Sequence, residues 1–216
     1  MKSPCLLAFA ICLSAAFAAS SQAKEEILHS FNFAKATVAP TYVAVNDSEG
    51  GANLLFLSGC KLSPDAEAPG GNALVFDGAA TEPGISQRVI PGLETVQFKL
   101  RFKPSETGAP LQTLVALNAT YELRYNRDKS ALEFIILYPE KKYTYLRADV
   151  PAGIWSQAQA TYKDRKLTLI VGLARKEIML PEGAVLAPVP TTLRVARTAT
   201  ERPFTGSISE LSISTP

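Results

Sequence analysis

The chain has 216 residues, 47% of them hydrophobic, and a formal net charge of +2. Its length suits one large β domain with a packed core rather than two domains. The charge is near balance and the basic residues form no run, so nothing points to a nucleic-acid partner.

The first segment reads as a secretory leader. Lys2 is a minimal positive start, residues 6–19 are apolar, and Ser21-Gln22-Ala23 offers a small-x-small cleavage site before Lys24. Such a segment is too short and wrongly flanked for a spanning helix. A cut after Ala18 or Ala19 is the alternative, and Ile11 is too bulky to precede a lipidated Cys12. No second stretch is long and apolar enough to cross a bilayer. The reading is a signal peptide over 1–23 and an exported domain, periplasmic or extracellular, over 24–216. Cys5 and Cys12 leave with the leader, and Cys60 remains alone, so no internal disulfide can form. Cys60 is expected as a small buried hydrophobe, with an intermolecular bridge as the alternative.

Residues 27–33 (ILHSFNF) alternate and predict the first strand, with His29 decorating it. Residues 34–51 are less regular, with a short strand at 41–45 and a turn at 46–51. An apolar run at 54–57 precedes a Pro-, Gly- and acid-rich loop at 61–71. Residues 73–76 predict a strand closed by Asp77-Gly78, and 86–90 another. Val96, Phe98, Leu100 and Phe102 alternate with Gln97, Lys99, Arg101 and Lys103, until Pro104 stops the strand. Strands follow at 111–117, at 121–125 and 131–138 as a hairpin, and at 143–148.

Residues 151–178 read strand, turn, strand, turn, strand. Ala158, Ala160 and Tyr162 share one face, Lys163-Asp164-Arg165-Lys166 make a charged turn, and Leu167, Leu169 and Val171 form the next apolar face. Trp155 enters this segment and is expected in the core. Strands at 193–197 and 204–214 close the chain, and no helix-period stretch of ten residues interrupts them. Period-2 segments separated by short turns imply an all-β, antiparallel two-sheet sandwich or jelly roll.

Four stretches in order carry a family resemblance: Ala73-Leu74-Val75-Phe76-Asp77-Gly78; Val96 through Pro104; Pro151-Ala152-Gly153-Ile154-Trp155 with Ala160-Thr161-Tyr162-Lys163-Asp164 and Leu167-Thr168-Leu169; and Phe204-Thr205-Gly206-Ser207-Ile208-Ser209-Glu210-Leu211. Together they resemble the laminin G-like jelly roll of the concanavalin A-like lectin/glucanase superfamily. Asp47-Ser48 and Asn53-Leu54 stand where such domains often carry an Asp-Ser-x-Gly…Asn turn. The resemblance implies two stacked antiparallel sheets, often a structural calcium, and frequently glycan or protein binding. Ile170-Val171-Gly172-Leu173 and Ser209-Glu210 depart from the family pattern, and the second departure weakens the calcium expectation.

Three chemistries are open to these residues. A four-residue hairpin loop at 126–129 would set Tyr125 opposite Ser130, Leu123 opposite Leu132, Tyr121 opposite Phe134 and Glu122 opposite Glu133. Directly opposed carboxylates lie about 5 Å apart, the separation a retaining glycosidase uses. A solvated pair neutralised by Arg124 is the competing expectation, and no glucanase-type Glu-x-Asp-x-x-Glu run is present. For a structural calcium, which wants six to eight oxygens, the candidate donors are Asp47, Glu49 and Asp77, with Asn46 beside them. For a glycan, Tyr138, Tyr143 and Tyr145 offer flat faces and Arg147 a donor, with Tyr143, Tyr145 and Arg147 on one face. Asn118-Ala119-Thr120 and Asn46-Asp47-Ser48 are glycosylation sequons. The resulting expectation is an exported, non-catalytic module for a glycan or an extracellular component. A protein–protein adhesion module is the second reading, and a glycoside-active enzyme the third.

Overall fold

The computed structural model describes residues 25–49, 54–79, 82–117, 120–139, 142–184, 186–198 and 202–216. The leader expected over 1–23, the Asn53 position and Asn118-Ala119 of the second sequon lie outside them. Among the described residues no helix is long and apolar enough to cross a membrane.

Among the described residues seventeen strands follow in order: β1 (Glu26–Asn32), β2 (Thr37–Val38), β3 (Val43–Asn46), β4 (Leu54–Leu57), β5 (Cys60–Pro64), β6 (Asn72–Asp77), β7 (Gly84–Ile90), β8 (Val96–Pro104) and β9 (Leu111–Leu117). Then come β10 (Tyr121–Asn126), β11 (Ala131–Tyr138), β12 (Lys142–Asp149), β13 (Ser156–Lys163), β14 (Lys166–Val171), β15 (Ala174–Met179), β16 (Thr191–Val195) and β17 (Thr205–Thr215). The first sheet runs β15-β14-β13-β8-β17-β6-β5, with β1 also paired to β17; the second runs β12-β11-β10-β9-β16-β7-β4-β3-β2. All pairings are antiparallel, and the two sheets stack as a β-sandwich.

The core is where the inner faces meet. Phe98 of β8 packs edge-on against Phe134 of β11 at 6.1 Å and Tyr121 of β10 at 6.5 Å, and Tyr121 reaches Tyr162 of β13 at 6.0 Å. Burying an aromatic hydroxyl is costly without a partner, and the Tyr121 hydroxyl donates to the Leu93 carbonyl at 2.7 Å. Alternation does the rest: Ala158, Ala160, Leu167, Leu169, Leu211 and Ile213 all point inward, as expected from their period.

Three local expectations are corrected. Residues 60–64 form β5 instead of opening the 61–71 loop; Ser63 and Pro64 hide the pattern, and proline is tolerated because β5 is the sheet's edge. His29 does not decorate β1 but lies fully buried. The third concerns the β10–β11 hairpin. Its loop is a single 3-10 turn at Arg127–Lys129, capped by the Asn126 side chain, with Ser130 in the left-handed region at φ 46°. Asn126 therefore pairs with Ala131, and Arg124, not Glu122, stands opposite Glu133. The slip is two residues, so the same side chains still face the core.

Candidate functional site

β12 is an edge strand of the second sheet. Leu146 and Ala148 point into the core, which turns Tyr143, Tyr145 and Arg147 outward. Tyr143 is 58% and Tyr145 41% exposed, and their ring centroids are 6.1 Å apart with planes inclined by 34°. Tyr143 lies opposite Leu137 and Tyr145 opposite Ile135, so the rings rest beside aliphatic neighbours on β11. The Arg147 guanidinium sits 5.4 Å from the Tyr145 ring centroid, a cation–π distance.

Glu133, opposite Arg147, holds this strip in place. It is only 1% exposed. Its Oε1 accepts from Arg147 Nη2 at 2.6 Å and from Asn126 Nδ2 at 3.0 Å, and its Oε2 accepts from Arg124 Nη2 at 2.5 Å. Burial pushes the carboxyl up, but the bonds from Arg124, Arg147 and Asn126 more than reverse that and leave it below the usual range. Glu122 is occupied too, accepting from Thr113 Oγ1 at 2.7 Å and pairing with Arg202 at 3.3 Å. Both glutamates are thus paired with cationic side chains, and the register sets them diagonally, not directly opposite.

Among the described residues Arg147 Nη1 makes no hydrogen bond, so the strip presents a donor beside two aromatic faces. The same face continues across the sheet through Tyr145, Ile135, Glu122, Ala116 and Arg194, each opposite the next. The pairing of Glu133 with Arg124 agrees with the neutralisation expected from the sequence, but Glu133 is buried rather than solvated, and no local pattern signals that Arg147 and Asn126 share it.

The remaining sequence candidates are scattered. Tyr138 faces the other way, packs partly against the core and bonds Thr144 Oγ1 at 3.0 Å. It lines a separate cleft of about 430 Å³ with Pro139 and Pro181. Asp47 is buried: Oδ2 accepts from His29 Nδ1 at 2.5 Å, and Oδ1 accepts from the backbone N–H groups of Ser30 and Glu49. Glu49 is exposed and Asp77 lies at the end of β6, where it caps Ala79 N. Among the described residues no three acidic, His or Cys side chains converge as a metal site. Trp155 is half-buried on the outer face of the first sheet, not in the core, with Lys103 Nζ 5.2 Å and Arg101 5.8 Å from its ring. Cys60 is free and partly buried against the core; burial and Asp77 push its thiol up to about 12.

No protein-family model and no curated protein matches the sequence. Solved structures share the fold. The receptor-binding domain of botulinum neurotoxin D superposes with a TM-score of 0.62 at 11% identity, over 88% of this chain and 49% of that one. Domain 4 of AbnA, a GH43 extracellular arabinanase from Geobacillus stearothermophilus in complex with arabinotriose, gives 0.61 at 13% identity, over 89% of this chain and 94% of that domain. A Trypanosoma rangeli sialidase in complex with sialic acid gives 0.58 at 11% identity, over 87% of this chain and 30% of the sialidase. This chain thus spans about half the toxin domain's length. At these identities the likeness is one of fold.

Proposed function

We propose that this chain is an exported, non-catalytic glycan-binding module of laminin G-like type, and that the outer face of β12 is its binding surface. The observation that carries the reading is the exposed Tyr143–Tyr145 pair with Arg147 fixed beside it by Glu133. Tyrosine faces stack on the C–H faces of a sugar ring while their hydroxyls stay in water. Arg147 offers an oriented donor to a ring oxygen or hydroxyl, and best to a carboxylate. The non-catalytic part is supported by Glu122 and Glu133 being buried, paired and not directly opposed. The glycan part is supported by shape: sandwiches of this fold include an arabinanase domain holding arabinotriose and a toxin receptor-binding domain.

The test is a glycan array probed with the protein and with Tyr143→Ala and Tyr145→Ala. Loss of one stacked ring is expected to weaken binding about tenfold, the equivalent of roughly 1.4 kcal/mol. Carboxylate-bearing glycans that bind equally well to the protein and to both variants would sink the assignment of this surface.

A further inference from the structure

The outer face of the first sheet has a feature that a merely solvated sheet face lacks. Gln97 of β8 lies opposite Thr161 of β13, and Thr161 opposite Thr168 of β14. These three short polar side chains form a row across the strands, at the strand spacing of about 4.8 Å per step. Gln97 is 8% and Thr168 7% exposed, so the row is sunk below its neighbours. Longer side chains rise on both sides: Gln159, Ile170 and Arg175 form one cross-strand wall, and Lys163, Lys166 and Met179 the other. Floor and walls enclose a cleft of about 480 Å³, within the range of small-ligand sites.

The floor has unused hydrogen-bonding capacity. Gln97 Nε2 donates to Thr161 Oγ1 at 3.3 Å, while Gln97 Oε1 is buried with no hydrogen-bond partner among the described residues. Turning the amide over only exchanges the problem, because Thr161 can satisfy one end and not both. A buried amide oxygen without a partner carries an unrecovered desolvation cost. Rotation of the Gln97 side chain toward the cleft would bring this oxygen to a ligand hydroxyl and recover that cost.

The chemistry of the lining selects among ligands. Amides and hydroxyls both donate and accept, which matches sugar hydroxyls. Ile170 and the Met179 side chain add apolar surface for ring C–H groups. The rim carries little net charge: Glu177 pairs with Arg175 at 2.5 Å and with Lys166 at 3.7 Å, Asp164 also lines the cleft, and Lys163 donates to the Pro216 carbonyl at 3.2 Å. We infer that this cleft is a second saccharide site, on the opposite face from Tyr143 and Tyr145, and that it takes uncharged sugars. The inference stands on the cleft's own residues and does not require the tyrosine strip to bind anything.

The test is titration of the isotope-labelled protein with cellohexaose, xylohexaose and α-1,5-linked arabinohexaose at millimolar sugar, followed by amide NMR. The side-chain amide signals of Gln97 and Gln159 report on the cleft without any mutation. At least one of the three is expected to shift them, to do so equally in Tyr143→Ala/Tyr145→Ala, and to bind Gln97→Leu about tenfold more weakly. Gln159→Ala, on the wall, is the second variant should Gln97→Leu fail to fold. No shift of either amide with any of the three sugars, or shifts confined to residues 143–147, would overturn the inference.

Discussion

The Nδ1 atom of His29 lies 2.5 Å from Oδ2 of Asp47, with both side chains fully buried. His29 belongs to β1 of the first sheet and Asp47 follows β3 of the second, so this bond joins the backbone bridge between Phe31 and Asp47 in tying the two layers together. Asp47 also orders the chain around it, because its Oδ1 accepts from Ser30 N at 2.9 Å and Glu49 N at 3.1 Å. The imidazole stacks on Phe31 at 5.6 Å, which fixes its plane.

Removing one member of such a pair strands the other in the core. Asp47→Ala is expected to cost about 1–3 kcal/mol for each buried donor it leaves unpaired, read as a fall in the denaturant midpoint at unchanged slope. The fall should be the same with and without a chelator, since the Asp47 oxygens are taken by His29 and backbone N–H groups. A fall that appears only without chelator would show that Asp47 acts through a bound cation.

Glu133 supplies the acid dependence. Its carboxyl is held below the usual range, so the stability it contributes is whole above the ordinary carboxylate pKa of about 4.3 and is lost as pH falls below that, toward its folded value. Asp65, held down chiefly by its bond from Lys103, and Glu25, by its bonds from Ser214 and Lys99, act with the same sign. Glu133→Gln is expected to cost roughly 1–3 kcal/mol at neutral pH, because it leaves Arg124 and Arg147 without their shared anion. It should also flatten the fall in stability below about pH 4. An unchanged acid slope in Glu133→Gln would remove Glu133 from the explanation.

Gly206 shows why the Phe204-Thr205-Gly206 stretch has its sequence. Its φ is +141°, and an added Cβ would collide with the Lys103 carbonyl oxygen and come within 2.9 Å of Pro104 Cα, where β17 crosses β8. Neither obstacle is a flexible side chain, so the strand pair itself must move. Gly206→Ala is expected to cost roughly 3 kcal/mol or more, or to prevent folding. Thermal unfolding within a degree or two of the parent would contradict this packing.

Alternation made the sandwich legible, because β8 and β13 bury one side chain in two along most of their length and no helix-period stretch follows the leader. Registers were less legible. The β10–β11 pairing could slip by two residues without exposing an apolar side chain, so only the cap at Asn126 and the left-handed Ser130 decided it. His29 shares its parity with Phe31 and Phe33, and that signal did point inward. Its partner is 18 residues away in the other sheet, which no local pattern can reveal. Tyr143, Tyr145 and Arg147 could be placed together because one strand carries all three. Trp155 shares its parity with Gln157 and Gln159, and that count, followed through, puts it on the outer face.

That position gives Trp155 a task. The loop after β5 folds over the outer face of β8, where Asp65 accepts from Lys103 Nζ at 2.6 Å and from Trp155 Nε1 at 3.2 Å, and the Glu67 carbonyl accepts from Arg101 at 2.9 Å. The indole therefore pins the loop through a hydrogen bond at its edge and two cations against its ring. Each cation–π contact at a half-exposed site is worth about 0.5–1 kcal/mol. Trp155→Ala is expected to lower stability by roughly 1–2 kcal/mol and to speed amide exchange in residues 65–71 ahead of the strands. Trp155→Phe, which keeps the ring face and loses the N–H, should fall between the two. Uniform exchange across the loop and β8 in Trp155→Ala would mean that the indole supports the sheet as a whole and does not act as the loop's pin.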